Sequence, residues 1–520
     1  MDNKRDVFEG ESPPVEYSDT SGGPDSDPQP VSLLSWTFSF AKVFLLLLSY
    51  FLSQYDKFII SYFQQDVVVD LNISSAGYGA LTGYGTSVLS SFAVIPIAIF
   101  TDSSQARVWA LTITILWWSL MVIFQSLCHE FWQVILARLA MFLGQSASEA
   151  LAVSLIADIL PARFVGIGES VLYVGVYIGE AISSRISSVF IEQDKSWRLA
   201  FRAIGITGLV LAVATRLIVR EPQNKRRIIL GHAQSPGRHL IASISEVWQT
   251  ARYIMALESF WIITFSCAWR QFAGNIFGYY LPTLLQLQYP DQVAYEVATY
   301  GTIVGAVGST ACMTGGILTS FLSPRYPNIA LHLTAWGGAI SWPFVVTLTF
   351  SRTLASTPEG GLRILFGCLS AAYITAELWL GAMASLIVSL LPIRYKTLGY
   401  AIFALSQLLI WSAGPEIVSI AQYRAGVDTS DIPSYIETTR IILCVLIPFG
   451  YCACAFGLGI VIFTGKFKRD LARVRAAASE HATIEDVALS KKRTGAFGIG
   501  LGVLGAIVVG LTATSYALGT

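Results

Sequence analysis

Two pairs of short segments decide the architecture. AIFTDSSQAR (residues 98–107) echoes GILTSFLSPR (316–325), and LPARFVGIG (160–168) echoes LPIRYKTLG (391–399). In the first pair Ile99-Phe100-Thr101 aligns with Ile317-Leu318-Thr319, and no gap is needed up to Arg107 and Arg325. Each segment follows a long apolar run, so the echoes mark matching turns of two successive helical arrays. Two arrays repeated in the same order and on the same side of a bilayer form a parallel repeat.

Outward from these turns, runs of about 20 apolar residues, the length that crosses a bilayer core, lie near 38–63, 76–100, 107–127, 131–159, 166–191, 198–219, 259–287, 296–322, 329–350, 361–391, 397–422 and 438–464. These are spans 1 to 12. The run 495–517 is a candidate thirteenth, Gly-rich with Gly498 and Gly502 at G-x-x-x-G spacing. The expected fold is an all-α membrane protein of two six-helix bundles.

Composition agrees. The chain has 520 residues, 54% hydrophobic and 13% charged, with mean hydropathy +0.59, whereas a soluble chain carries about 25% charged residues. A soluble enzyme is excluded on that ground. Lys+Arg 34 against Asp+Glu 34 leaves no net charge, so no nucleic-acid partner is implied. The seven cysteines sit mostly in apolar runs without metal-type pairing with His, which reads as small buried hydrophobes. No Ser/His/Asp or metal-ligand cluster occupies a plausible loop, so neither an enzyme nor a cofactor is expected.

The domain reading follows. Residues 1–35 are acidic and rich in Pro, Ser and Gly, a composition that cannot fold alone; they lack the basic-then-apolar start of a signal peptide. Residues 36–219 make the first bundle, 220–257 a basic linker, 258–465 the second bundle, and 466–520 a basic segment with the candidate extra helix. Arg220, Lys225, Arg226, Arg227, Arg238 and Arg252 share a side with Arg107, Arg163, Arg325, Arg394 and Lys396. The positive-inside rule puts that side, the N-terminus included, in the cytosol. The sequon Asn72-Ile73-Ser74 then faces outward, too near the membrane for glycosylation to be expected.

Ionisable residues inside apolar spans are costly and mark function by default. Span 1 holds Asp56 and Lys57, whose side chains diverge by about 100°; at least one is expected to face a central cavity. Span 4 holds Arg138, Gln145 and Glu149, which at about 3.6 residues per turn fall on one stripe expected to face the bundle interior. Glu149 is a candidate proton carrier, with a fixed Arg–Glu bridge as the plainer alternative. Span 5 adds Tyr177 and Glu180, span 7 Arg270, span 10 Glu377 and Trp379, and span 11 Gln407 and Glu416. Interhelical ion pairs are the competing reading for Arg270 and Glu377, and a helix-end structural charge for Glu416. Aromatics flank these positions, a lining that suits an amphiphile.

The turn after span 2 resembles, in degenerate form, the G-x-x-x-D-R-x-G-R-K motif of major facilitator transporters, with Asp102 and Arg107 at its Asp and final basic positions. Its use is a charge latch, and Arg163, Arg325 and Arg394 are candidates for the same cytosolic latch. The ordered set of motifs is similar to the Spinster family: Tyr55-Asp56-Lys57-Phe58, then Asn72-Ile73-Ser74; Arg138 and Gly144, then Ile156-Ala157-Asp158-Ile159; Val174-Gly175 to Gly179; and Trp197-Arg198-Leu199-Ala200-Phe201-Arg202. The likeness is clearest over the first six spans. Three positions depart from it: the family's span 4 Glu is Gln145, its span 1 Arg is Lys57, which keeps charge but loses a bidentate fork, and the latch is degenerate.

The resemblance implies a major facilitator fold, alternating access, and movement of a lysolipid or sphingoid-type amphiphile at a lysosomal, endosomal or plasma membrane, with protons as candidate coupling ion. A carrier of small organic anions or other polar solutes, and a non-transporting receptor on the same scaffold, stand as alternatives. The expected central relay is Asp56, Arg138 and Glu149.

Overall fold

The computed structural model describes residues 33–87, 107–160, 162–193, 195–219, 256–391, 396–427 and 431–479, with isolated positions near 90–97, 253–254 and 506–514. Among the described residues the chain is helical, with no strand. Asp102, Arg394, most of the linker and most of the candidate thirteenth helix lie outside the described residues, as does the Arg163 side chain.

Among the described residues ten helices are long and apolar enough to cross a membrane, and they coincide with spans 1, 3–6 and 8–12. Span 7 is one 31-residue helix, Glu258–Gln288; it carries Arg270, Gln271 and Asn275 and falls outside that set. Span 2 begins as Ser75–Thr82, breaks at Gly83 and resumes at Tyr84. The protein is a multi-pass integral membrane protein of two helical bundles. The outer faces suit lipid: Trp109, Trp117 and Phe124 of span 3, Val210 and Leu217 of span 6, and Phe449, Phe456 and Phe463 of span 12 are all exposed.

Local chemistry sets the helix starts. Ser74 caps span 2 by accepting from Gly77 N–H at 3.2 Å. Glu130 and Gln133 close a capping box at span 4, and Thr357 caps span 10 at Gly360. Asn72 takes the left-handed conformation (φ 49°) in the turn between spans 1 and 2, one that Asn tolerates better than most residues.

Three spans are irregular at the level of the central cavity. Span 4 is two helices, Phe131–Gln145 and Ser148–Ile159. Ser146 donates to Leu143 O at 2.8 Å and Ser148 to Gln145 O at 2.6 Å, and such back-bonding competes with the helical ladder. This corrects the straight stripe expected for Arg138, Gln145 and Glu149. Span 10 tightens to a 3-10 turn at Glu377–Trp379, and span 8 widens to a π turn at Val304–Gly308. The register that superposes Leu160 on Leu391 also superposes Ser146 on Glu377, so the breaks in spans 4 and 10 obey the internal repeat.

The bundle has two ends. The Asn72 end carries the described turns after odd-numbered spans, and the Arg107 end is the opposite one, where span 3 begins and span 12 ends. At the Arg107 end a basic helix, Lys466–Ser479, follows span 12 and packs Phe467, Leu471 and Val474 against the second bundle.

Candidate functional site

A cavity of about 270 Å³ lies between the two bundles. Nine of the eleven central residues singled out by sequence line it: Lys57, Gln145, Glu149, Tyr177, Glu180, Arg270, Glu377, Trp379 and Gln407. Asp56 and Arg138 do not.

On the wall of the second bundle, Arg270 donates through Nη2 to Glu377 Oε1 at 3.0 Å and to the Ala376 carbonyl at 2.9 Å. Glu377 also accepts from Trp379 Nε1 at 3.2 Å and, across the bundle interface, from the Tyr177 hydroxyl at 2.7 Å. The guanidinium stacks on Tyr451, 4.3 Å from its ring centre. Span 10 tightens to its 3-10 turn at Glu377, where the preceding carbonyl, that of Ala376, serves Arg270.

Toward the Arg107 end, Glu149 Oε1 accepts from Tyr173 at 2.7 Å and from Tyr400 at 3.0 Å. The two hydroxyls also hydrogen-bond each other. Tyr400 belongs to span 11, so this carboxylate ties the first bundle to the second. The helix break and Tyr400 had no signal in the sequence, and Tyr173 stood out only as one of the aromatics flanking the polar positions, because tyrosines are common near membrane interfaces whatever their role.

Lys57 makes no ion pair among the described residues. Its ammonium lies 4.0 Å from the centre of the Trp411 ring and 4.9 Å from that of Phe58, a cation held by π faces. Glu149 and Glu180 are the anions whose fields reach it. Of the adjacent charged pair in span 1, Lys57 therefore faces the cavity and Asp56 turns away, 2% exposed.

Arg138 is fully buried and donates through Nε to Leu81 O at 3.0 Å. Asp56 acts on it at a distance, without an ion pair within 4.0 Å among the described pairs. Among the described residues Arg138 Nη1 and Nη2 and Asp56 Oδ1 meet no partner at full hydrogen-bond geometry, and the Tyr279 phenol lies beside the guanidinium. The relay expected of Asp56, Arg138 and Glu149 is thus split: one member lines the cavity and two lie behind its wall. In the latch, Arg107 is buried and donates to Ser154 Oγ at 2.8 Å, bridging spans 3 and 4, while Arg325 is exposed.

Closure is concentrated at the Asn72 end. Gln64 donates to the Tyr435 hydroxyl at 3.1 Å, Thr283 to Gln64 Oε1 at 2.7 Å, and Gln286 to Tyr62 O at 3.3 Å. Tyr300 donates to Glu180 Oε1 at 2.9 Å, and Ser87 to Ser412 Oγ at 2.8 Å. All five join the two bundles.

The Major Facilitator Superfamily model matches residues 46–415. Protein spinster of Drosophila melanogaster is 23% identical over 299 residues, 56% of this chain and 47% of that protein. The sphingosine-1-phosphate transporter SPNS2 of Danio rerio is 22% identical over 286 residues, 53% of this chain and 54% of that one. The chain thus spans about half the length of these relatives. Among solved structures, a bacterial homologue of the human lysosomal transporter Spinster, inward-facing and unoccupied, matches with TM-score 0.64 at 20% identity, over 83% of this chain and 98% of that one. That last likeness establishes the fold.

Proposed function

The chain belongs to the Major Facilitator Superfamily, and from that premise we propose that it is a secondary active transporter of a lysolipid or sphingoid-type amphiphile, working by alternating access. The observation that carries this reading is the Lys57 ammonium, held between Trp411 and Phe58 on the wall of a cavity both bundles share. A cation without a carboxylate partner, beside aromatic and aliphatic wall, suits an anionic headgroup with an apolar tail. The similarity to a sphingosine-1-phosphate transporter, at 22% identity, adds support for a lipid substrate.

In this mechanism the two bundles rock about the cavity. The N-terminus lies in the cytosol by the charge bias, so the Asn72 end is the outer or lumenal one and is closed in this structure. Lys57 receives the headgroup. Arg270 with Glu377 fixes the opposite wall, and Tyr177 lets that wall follow the first bundle. Glu149, reached by phenols of both bundles, exchanges a proton as Tyr400 approaches and departs. Asp56 and Arg138 hold spans 1 and 4 behind this site. Protons are the coupling ion, and the membrane is lysosomal, endosomal or plasma.

One observation favours a second reading. The cavity volume lies just below the usual range of about 300–1,000 Å³ for ligand pockets, which suits a small organic anion held by the same Lys57. Flux into liposomes separates the two. Purified protein is given labelled lysolipid, a sphingosine-type lipid or small carboxylates, with and without a proton gradient. Lipid flux supports the first reading, anion flux alone the second, and no flux for any of them favours a receptor and overturns both.

A further inference from the structure

Span 2 and span 11 come from different bundles, yet their backbones nearly touch. A Cβ on Gly79 would lie 1.8 Å from Ser419 Oγ, and one on Gly83 would lie 2.6 Å from Glu416 Cγ and 3.0 Å from Ser412 O. Only glycine permits this approach. The register that superposes Arg107 on Arg325 superposes Gly83 on Gly301, and Gly301 meets Ser184 of span 5 in the same way, its added Cβ 2.4 Å away. The Asn72 end therefore closes along two equivalent glycine seams.

The seams differ in their carboxyl groups. Glu180, beside the span 5–8 seam, lines the cavity and accepts from Tyr300 at 2.9 Å. Glu416, in the span 2–11 seam, does not line the central cavity, is 0% exposed, and among the described residues meets no side-chain donor, only weak approaches of the backbone N–H of Tyr84 and Gly85. The groups around it are the backbone N–H of Tyr84 and Gly85 and the phenols of Tyr84 from span 2 and Tyr280 from span 7. Span 12 presents Tyr435, and the residue's own helix carries Arg424, exposed about two turns away. No described cation pairs with Glu416.

A dry carboxylate without a counter-ion is expensive, and a neutral carboxyl in the same place is not. When the bundles rock and the seam parts, water reaches Glu416 and the charge becomes cheap. We propose that Glu416 is the positioning residue of the span 2–11 seam, holding a proton while the seam is closed and releasing it to water at the Asn72 end as the seam opens. Only one O–H bond breaks, and water takes the proton. Because the closed seam binds more protons, rising pH favours opening. This assignment stands apart from substrate identity and from Glu149.

Hydrogen–deuterium exchange of the full chain in lipid nanodiscs tests it, with rates corrected for intrinsic chemistry. In the wild type, residues 75–87 and 409–419 should exchange about tenfold faster or more at about pH 8 than at about pH 5.5, while lipid-facing 107–125 stays unchanged. Glu416→Gln should hold both segments protected at either pH, and Glu416→Asp should restore the response. A wild type without this pH response overturns the proposal even if no variant folds, and so does a Glu416→Gln protein that responds as the wild type does. Because no substrate enters the measurement, its failure leaves the transport reading standing, and a failure of lipid flux leaves the seam standing.

Discussion

In the second bundle Arg270 and Glu377 meet at 3.0 Å, and Ala376 O, Trp379 and Tyr177 add hydrogen bonds to the pair, while Arg270 Nε has none among the described residues. In the first bundle, Lys57 rests on two rings, Arg138 donates to one carbonyl, and Asp56 leaves an oxygen unmet. Both bundles bring strong charges into the membrane, but one neutralises them internally and the other holds them apart. A buried pair whose charges already neutralise each other gains little from a ligand and fixes a wall. A cation without an ionic partner gains most when an anion arrives, since the cost of burying it is already borne by the fold. The difference teaches that the internal repeat conserves the helix path and the breaks in it, while charge is distributed asymmetrically.

The hardest way to break this contrast is to unpair the second bundle. Arg270→Ala strands Glu377 in a mostly buried site, and losing one partner of such a pair costs about 3–5 kcal/mol. We expect a larger fall in melting temperature than any other single substitution in either bundle's charged set produces, together with loss of flux. Replacing both residues, Arg270→Met with Glu377→Met, should recover most of the stability but not the flux. If the double variant is as unstable as the single, the pair does more than neutralise charge and the contrast fails.

Lys57→Ala should do the reverse. Loss of the ring contacts costs about 0.5–2 kcal/mol, so the melting temperature moves little, whereas uptake of an anionic substrate falls about tenfold or more, as expected for a desolvated charge contact. Lys57→Arg keeps the charge and should retain partial uptake. Equal stability loss in Lys57→Ala and Arg270→Ala would erase the distinction between the bundles.

Glu149→Gln sharpens the comparison. It keeps the phenol contacts to Tyr173 and Tyr400 but cannot lose a proton, so uptake measured against pH should flatten while protein yield and melting temperature hold. An unchanged pH profile rejects the proton role. Tyr400→Phe removes only the donor from the second bundle and should alter the profile less.

Much of this was legible from residue patterns, for identifiable reasons. Adjacent residues on a helix diverge, so either Asp56 or Lys57 had to face the cavity. Which one did depended on Trp411, more than 300 positions away, and no local pattern carries that. The turns ending at Arg107 and Arg325 exposed the repeat because a tight turn constrains sequence over many positions. The stripe through Arg138 and Glu149 failed because Ser146 and Ser148 divert carbonyls from the helix and turn Glu149 toward Tyr173. Tyr173 registered only as an aromatic flanking the polar positions and Tyr400 not at all, since a tyrosine's partner is set by the fold and not by spacing. Pro415 makes Glu416 look like a helix-end charge; its isolation in a seam emerges only from the approach of Gly83.

The smallest effect is expected at the rim of the second bundle, where the same habit of partnering charge continues. Asp470 is 3% exposed and accepts from the Ser259 N–H at 2.9 Å and hydroxyl at 2.7 Å, capping the start of span 7 from the helix that follows span 12. Beside it, burial pushes the Tyr253 phenol up to about 12 and the Asp470 charge adds to the rise, so that phenol stays neutral at any working pH. One turn away Lys466 pairs with Glu258 at 3.0 Å in a partly exposed setting. If burial and not proximity decides the worth of a charge at this rim, Asp470→Ala should cost about 1–2 kcal/mol, as loss of a helix cap does, and Lys466→Ala about 0.5 kcal/mol or less. Thermal unfolding of the two variants reads the difference directly. A Lys466→Ala protein as unstable as Asp470→Ala would mean that the helix after span 12 is held by its basic face, and that the contrast between dry and wet charge does not extend to the membrane surface.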